Sequence, residues 1–298
     1  MFLQKSQDLT LFGLIGLKTK AYFELLKFRL SFLVAFSSGF GYLLGVRAFD
    51  WLPFFMLCIG GFLISGASVT INQVLEKDLD KLMSRTRNRP LPTSRLSNNE
   101  AIIFAGLVAL VGFYILIIHT NFLTTILSLV SMILYCFVYT PLKRVGPIAV
   151  LVGAFPGALP PLLGWIAATG SISHEAMIIF GIQFIWQFPH FWAIAWVADE
   201  DYKKAGFKLL PSGGKKDLNT AINIMIYTLF LIPLGLLPLN FGLTGINSAL
   251  VVTICGVLFL AQTFSLMRDG SRNSALKIMF GSFLYLPIVQ IAYLLDKI

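Results

Sequence analysis

Charged residues are scarce in this sequence: Asp, Glu, Lys and Arg together make up only 12% of its 298 residues. Soluble domains usually carry about 25% charged residues, so the composition argues against a soluble fold. Cysteine is scarce too. The three cysteines lie apart in apolar stretches without a CxxC pair, which excludes a disulfide framework and leaves them as small packing residues. Apolar sequence dominates instead, at 57% of the chain.

Nine stretches are predominantly apolar over the roughly 20 residues that a membrane-spanning helix needs. The predicted spans are 24–46, 51–75, 101–118, 121–140, 147–168, 175–198, 218–238, 245–267 and 277–295. The sequence therefore predicts an all-α polytopic membrane protein, with nine transmembrane helices around a central cavity and a single domain over residues 1–298. Residues 1–23 contain a short apolar run flanked by lysines, which predicts an interfacial lead-in rather than a signal peptide.

The basic residues indicate the orientation. Of the 23 lysines and arginines, 21 fall in the N-terminal segment or in the breaks after spans 2, 4, 6 and 8, leaving Arg47 and Lys297 outside. The positive-inside rule then predicts a cytoplasmic N-terminus in the inner membrane, with the mouth of the site on the cytoplasmic side. Because these residues are dispersed among helix ends, the net charge of +9 indicates contact with membrane lipid and gives no support to nucleic-acid binding.

Two breaks are rich in acidic and basic residues, one after span 2 and one after span 6, which predicts a duplication of four helices plus four with a site at their interface. The first acidic break reads NQVLEKDLDKLMSRTRNRPL (72–91). Asn72, Glu76 and Asp80 share one face if the helix continues, and this face suits a hard cation such as Mg²⁺. With Arg85 and Arg89 following, the break predicts a diphosphate clamp. The alternative is a solvated face on which these acids merely pair with nearby basic residues.

The second acidic break reads ADEDYKKAGFKLLP (198–211). Gln183, Gln187 and His190 lie on one side of the preceding helix, and helical phase returns Asp201 to that side while Asp199 points away. Polar side chains deep in a span are costly, so they should face a cavity or each other. A hydrogen-bonded core role for the histidine is the alternative.

A third cluster, YTPLKR, places Tyr139, Lys143 and Arg144 at the same predicted membrane face. A diphosphate held there by metal, Arg and Lys would leave its hydrocarbon tail in the apolar interior. Neutralising charge on the diphosphate promotes its departure as pyrophosphate, and the allylic cation that remains can be stabilised by aromatic faces. The residues thus favour prenyl transfer to an electron-rich acceptor.

The first acidic break resembles the N-x-x-x-D/E-x-x-x-D signature of the UbiA-type intramembrane prenyltransferases. With YTPLKR, GALPPLLGW (157–165), WQFPHF (186–191) and DY (201–202), it is similar to the branch of that family that transfers a farnesyl group to haem. The resemblance covers nearly the whole chain from span 1 onward. One departure is that DEDYK (199–203) ends in lysine where the wider family has a second aspartate, which leaves the choice between the two aspartates open.

The resemblance implies haem B and farnesyl diphosphate as substrates, Mg²⁺ as cofactor, and a product formed with addition of water. That product would serve a haem–copper oxidase directly, or after conversion by a haem A synthase. It further implies that Asn72, Glu76, Asp80 and Asp201 hold the metal and diphosphate, and that the remaining predicted residues contact the substrates. These are Arg85, Arg89, Tyr139, Lys143 and Arg144 on the diphosphate, and Arg29, Trp186, Gln187 and His190 on the haem.

Two other functions remain open. One is a prenyltransferase of the same family that uses an aromatic or quinone-precursor acceptor, which the WQFPHF and DY blocks disfavour. The other is a haem or lipid transporter without chemistry, which would not require the carboxylate spacing at Asn72, Glu76 and Asp80.

Overall fold

The computed structural model of the protein describes residues 11–298; the first ten residues of the predicted lead-in lie outside them. Within the described part, nine helices are long and apolar enough to cross a membrane, as predicted. They are α1 (Phe28–Gly45), α2 (Trp51–Leu75), α3 (Asn98–His119), α4 (Phe122–Leu142), α5 (Ile148–Thr169), α6 (His174–Val197), α7 (Leu218–Asn240), α8 (Ile246–Asp269) and α9 (Arg272–Leu295).

Several of these helices begin with a side-chain N-cap, a polar residue that stands just before the helix. Ser97 and Glu100 form a reciprocal capping box at the start of α3. The oxygens of Asp50, Asn121 and Asp217 accept hydrogen bonds from the first-turn N–H groups of α2, α4 and α7. Polar residues therefore set where these four spans begin.

The lead-in contains a helix of its own, Leu11–Leu25, which ends before α1 begins. Its last carbonyl, on Leu25, accepts hydrogen bonds from Gln73 Nε2 (2.8 Å) and Thr70 Oγ1 (3.3 Å) of α2. The chain then turns at Lys27, which has left-handed backbone angles (φ 44°, ψ 58°). The predicted first span, 24–46, thus includes the last two residues of this helix and the turn, and the spanning helix itself begins at Phe28.

Glycines allow very close helix packing, as the small residues of the spans predict. A Cβ at Gly41 of α1 would overlap the carbonyl oxygen of Pro161, and one at Gly164 of α5 would overlap the carbonyl oxygen of Ser38. The backbones of α1 and α5 are therefore in direct contact. This contact places α5 among α1, α4 and α6 at the centre of the bundle.

Proline in α5 releases a carbonyl that the neighbouring helices satisfy. Pro161 has no N–H, so the carbonyl of Gly157 lacks its helical donor and accepts from Gln183 Nε2 of α6 (2.9 Å) instead. Gln183 Oε1 in turn accepts from Ser37 Oγ of α1 (3.1 Å) and Gln290 Nε2 of α9 (3.0 Å). One buried glutamine thus ties four helices together, and α9 closes the bundle by packing on α6 and α1.

The two acidic breaks begin with nearly the same backbone geometry. After α2, Glu76 has φ −100° and ψ 8°, and the short helix Lys77–Asp80 follows. After α6, Ala198 has φ −95° and ψ 11°, and the helix Asp199–Lys204 follows. This is what a duplicated four-helix unit would produce, and the duplication itself stays a prediction.

We expect Gly164→Ala to lower the melting temperature of the detergent-solubilised protein. The added methyl group meets the backbone of α1, and overpacking of this kind costs about 1–3 kcal/mol. Gly106→Ala in α3 is the matched control, because a Cβ there has open space around it. Equal melting temperatures for the two variants would contradict the close approach of α1 and α5.

Candidate active site

A cavity of about 100 Å³ lies at the end of the bundle where the breaks after α2, α4 and α6 meet. We call it the polar cavity. It is lined by Lys27, Asn72, Glu76, Asp80, Met83, Arg85, Thr86, Arg89, Tyr135, Tyr139, Lys143, Tyr202, Phe207 and Leu209. The lining includes both acidic breaks and the YTPLKR cluster, so the predicted convergence of these three segments is confirmed.

Asn72, Glu76 and Asp80 are all buried against this cavity, with exposures of 2%, 5% and 0%. Asp78 points the other way, is exposed, and pairs with Lys81 at 2.7 Å. The predicted common face is therefore confirmed, even though the helix is interrupted at Glu76. The alternative of a solvated, merely paired face does not apply to these three residues.

The two buried carboxylates each face a cation. Lys143 Nζ lies 2.9 Å from Glu76 Oε1 and donates a hydrogen bond to Oε2 at 3.1 Å. Arg89 Nη1 donates to Asp80 Oδ2 at 2.7 Å. Burial by itself would lower the pKa of Lys143, but the nearby Tyr139 and Glu76 outweigh it and hold that pKa above its ordinary value. Lys143 therefore remains an ammonium group inside the cavity.

The first acidic break also offers unpaired oxygens to a cation. Asp80 Oδ1 is buried without a hydrogen-bond partner among the described residues, and Glu76 Oε1 has the lysine contact but no hydrogen bond. Asn72 donates its Nδ2 to Thr140 Oγ1 (3.0 Å), which turns its oxygen away from Thr140. Across residues 11–298, no group of three or more His, Cys, Asp or Glu side chains is placed to hold a metal. Two carboxylates and one amide fit Mg²⁺, which keeps waters and takes phosphate oxygens as further ligands.

A π-helical turn, Leu134–Tyr139, lies near the end of α4. Tyr135 and Tyr139 of this turn lie 5.5 Å apart between ring centroids, and both rings line the polar cavity. Thr140 Oγ1 donates to the Tyr135 carbonyl at 2.8 Å, while accepting from Asn72. Such turns occur often at functional sites. Sequence reasoning singled out Tyr139 but missed Tyr135, because nothing in the apolar pattern of α4 signals the extra residue per turn.

Lys27 is a second lining residue that sequence reasoning did not select. Burial lowers its pKa to about 7, and the positive charges of Arg89 and Lys143 act in the same direction. The left-handed turn before α1 directs it to the cavity. Arg29, which was predicted to contact haem, is exposed and does not line the polar cavity. The two basic residues at the start of span 1 looked alike in sequence, and the turn at Lys27 separates them.

Asp201 contacts the first acidic break without lining the cavity. Its carboxylate accepts hydrogen bonds from Ser84 and from the backbone N–H of Arg85, and the Ser84 hydroxyl is the main cause of its lowered pKa. Asp199 pairs with Lys203 (2.9 Å) and Lys216 (3.2 Å). The expected continuous helix from span 6 into this break is wrong, because α6 ends at Val197. The phase argument that favoured Asp201 over Asp199 therefore fails, and the ligand role of either residue stays a prediction.

Gln183, Gln187 and His190 form a polar stripe along α6, with Trp186 beside it. The stripe is buried, and none of these residues lines the polar cavity. Trp186 Nε1 donates to the Ser282 carbonyl (3.1 Å), and its ring stacks on His190 at 4.3 Å. His190 Nδ1 lies 2.9 Å from Ser282 Oγ. Gln187 is buried beside Gly157, where a Cβ would come within 2.5 Å of Gln187 Nε2. The haem role predicted for Trp186, Gln187 and His190 stays a prediction.

Of the five residues predicted to contact the diphosphate, four line the polar cavity and one does not. Arg85, Arg89, Tyr139 and Lys143 line the polar cavity. Arg144 is exposed and is not part of its lining. A single residue step along YTPLKR thus separates the buried cation from the one at the surface.

Buried carboxylates and cations at one end of a bundle of spanning helices are the arrangement expected of an intramembrane enzyme that acts on a charged head group with an apolar tail. Residues 33–286 match the model of the UbiA prenyltransferase family. The chain belongs to this family.

Comparison with individual proteins agrees. The chain is 55% identical over 280 residues to the protoheme IX farnesyltransferase of Cytophaga hutchinsonii, covering 94% of this chain and 98% of the relative. A solved structure described as digeranylgeranylglyceryl phosphate synthase in membranes is 20% identical, with a TM-score of 0.78 over 94% of this chain and 98% of that one. A UbiA homologue from Archaeoglobus fulgidus bound to GPP and Mg²⁺ is 16% identical, with a TM-score of 0.64 over 92% and 99%. At these low sequence identities, the similarity to the two solved structures shows a shared fold alone.

We expect Glu76→Gln to destabilise the protein, because it leaves the Lys143 ammonium buried without its carboxylate. Breaking a buried ion pair costs about 3–5 kcal/mol. The matched control is Glu24→Gln, which breaks the more exposed pair with Arg95 and should cost at most about 1 kcal/mol. The measurement is the unfolding midpoint in detergent.

The pair Glu76→Gln and Lys143→Met extends that test, since removing both charges should recover much of the lost stability. A double variant as unstable as Glu76→Gln alone would show that the buried ammonium is not the cause.

Proposed function

We propose that this protein transfers the farnesyl group of farnesyl diphosphate to the vinyl group of haem B, with addition of water, giving haem O and diphosphate. The observation that carries the proposal is the polar cavity, where two buried carboxylates and four basic residues meet at the end of an apolar helix bundle. Relatives named protoheme IX farnesyltransferase, 55% identical in the case above, support the choice of acceptor and of donor.

In this proposal Asn72, Glu76 and Asp80 hold Mg²⁺ through the amide oxygen of Asn72, through Glu76 Oε1, which contacts Lys143, and through Asp80 Oδ1, which is buried without a hydrogen-bond partner. When bound, the ion would neutralise charge on the departing diphosphate. Asp201 was also predicted as a ligand, but its oxygens already accept hydrogen bonds from Ser84 and Arg85. The ligand set that we propose is therefore the three residues of the first acidic break.

The basic lining residues bind the phosphate oxygens. Arg85 and Arg89 are suited to two-pronged contact with phosphate, and Lys27 and Lys143 act as point charges. Lys143 and Arg89 already pair with Glu76 and Asp80, so phosphate and carboxylate would share these cations. We further propose that Tyr135 and Tyr139 present aromatic faces to the allylic cation as the C–O bond breaks.

Haem recognition would fall to the polar stripe of α6, with Trp186, Gln187 and His190. Ser282 donates its single hydroxyl proton to the Met279 carbonyl at 2.7 Å, so it accepts from His190 at Nδ1. The proton of the neutral imidazole then sits on Nδ1, which leaves a lone pair on Nε2. A histidine oriented in this way is typical of a metal ligand, which supports an axial or orienting contact to haem.

The orientation follows from the basic residues of the breaks. We propose that the polar cavity opens to the cytoplasm from the inner membrane, and that the product passes to a haem A synthase or a haem–copper oxidase assembly. Lys297 agrees with this sidedness, because its Nζ donates to the carbonyls of Leu43 and Val46 at the far end of α1. The two basic residues outside the breaks therefore lie together, at the opposite face.

The proposal predicts a defined product. Purified protein incubated with haem B, farnesyl diphosphate and Mg²⁺ should yield haem carrying one hydroxyethylfarnesyl side chain, identified by mass, together with pyrophosphate. Pyrophosphate release without change in haem would indicate another acceptor, such as an aromatic or quinone precursor. Absence of any turnover would favour a transport function.

We expect Asp80→Asn to lower kcat/KM for farnesyl diphosphate by at least about a hundredfold, since losing a ligand should exceed the 10–100-fold effects of residues that only support one. Asp78→Asn is the matched control, because that carboxylate is exposed and pairs only with Lys81. The measurement is steady-state kinetics over a range of Mg²⁺ concentrations. Equal losses in the two variants would count against the buried face as the site.

A further inference from the structure

The second acidic break is fastened to the first by one carboxylate. Asp201 accepts hydrogen bonds from Ser84 N (3.1 Å) and from Arg85 N (3.2 Å), and the single hydroxyl proton of Ser84 is shared between its two carboxylate oxygens, at Oγ distances of 2.9 and 2.7 Å. Lys204 lies 3.4 Å from the same group. The donors and the acceptor are 116 and 117 residues apart in sequence. This set of hydrogen bonds joins the break after α6 to the break after α2, and so fixes one break against the other.

The residues held by this contact line the polar cavity. Arg85, whose backbone Asp201 binds, also donates from Nη2 to the Tyr202 hydroxyl at 3.3 Å, with its guanidinium 5.6 Å from the Tyr202 ring centroid. The other end of the segment is held by Arg89, which pairs with Asp80. Between them, Thr86 Oγ1 donates to the Asp80 carbonyl at 2.8 Å. The segment 84–89 is thus tied down at both ends across the mouth of the cavity.

We infer that Asp201 is a positioning residue that fastens the Ser84–Arg85 turn, so that the Arg85 guanidinium is presented to the diphosphate, and that it does so instead of ligating metal. This rests on the proposed function, because it assigns a task to a residue of the same site. The carboxylate has about four lone-pair positions, and the donors from Ser84, Arg85 and Lys204 occupy them. Binding a metal ion would require these hydrogen bonds to be given up.

The Mg²⁺ dependence separates the two roles: Ser84 contacts Asp201 without lining the cavity, and losing it should raise the Mg²⁺ requirement only if Asp201 is a metal ligand. In the full-length protein, we expect Ser84→Ala and Asp201→Asn each to raise the KM for farnesyl diphosphate by about tenfold or more, the size typical of a lost hydrogen bond to a charged group. The Mg²⁺ concentration for half-maximal activity should stay within about twofold of the original value. Ser84→Thr keeps the hydroxyl and should restore the original KM.

Two further readouts do not depend on turnover. The affinity for inorganic pyrophosphate with Mg²⁺, measured by calorimetry in detergent, should fall by the same factor in Ser84→Ala and Asp201→Asn. Trypsin should cleave after Arg85 and Arg87 faster by a similar factor, because the turn is no longer fastened. The double variant should be no worse than either single variant, since both remove one contact. Glu200→Gln, an exposed carboxylate beside Asp201, should leave every readout unchanged.

The inference is overturned if Asp201→Asn raises the Mg²⁺ requirement more than about tenfold, as expected for a lost ligand, whether or not Ser84→Ala does the same. It is also overturned if both variants keep the original pyrophosphate affinity and trypsin pattern. A protein that binds pyrophosphate but forms no farnesylated haem would instead contradict the proposed function, and the pyrophosphate and trypsin measurements would still decide the role of Asp201.

Discussion

Buried charge at the end of a helix bundle is the constraint on which the site depends. Glu76 and Asp80 are removed from solvent, and each would be prohibitively costly without an opposite charge. Lys143 and Arg89 supply that charge from two different connections, so folding of the bundle and assembly of the site are the same event. Because each pair leaves a carboxylate oxygen without a hydrogen bond, the fold retains oxygens that can take part in binding a cation.

A second constraint is that backbone polar groups inside the apolar bundle need hydrogen-bond partners. Pro161 leaves the Gly157 carbonyl without a helical donor, and Gln183 both satisfies it and joins α1 and α9 to the pair α5–α6. Close packing at Gly41 and Gly164 brings the same helices together. The rigid centre formed in this way holds the ends of α2, α4 and α6 in register around the cavity.

The spans and the shared face of Asn72, Glu76 and Asp80 were predictable, because hydropathy and helical periodicity are properties of residue order. What escaped prediction depends on local departures from regular helix. The left-handed turn at Lys27 places that side chain in the cavity, the π-helical turn adds Tyr135, and the break at Ala198 defeats the phase argument for Asp201. Each departure is decided by tertiary contacts that no short segment encodes.

The hydroxyl of Thr140 has a consequence for how the site responds to its occupant. It accepts a hydrogen bond from the Asn72 amide and donates its one proton to the Tyr135 carbonyl, inside the π-helical turn. Reorientation of that amide by an incoming ligand would remove an anchor from the wide turn. Occupancy by a diphosphate would thereby be communicated through α4 to the tyrosine faces that line the same cavity.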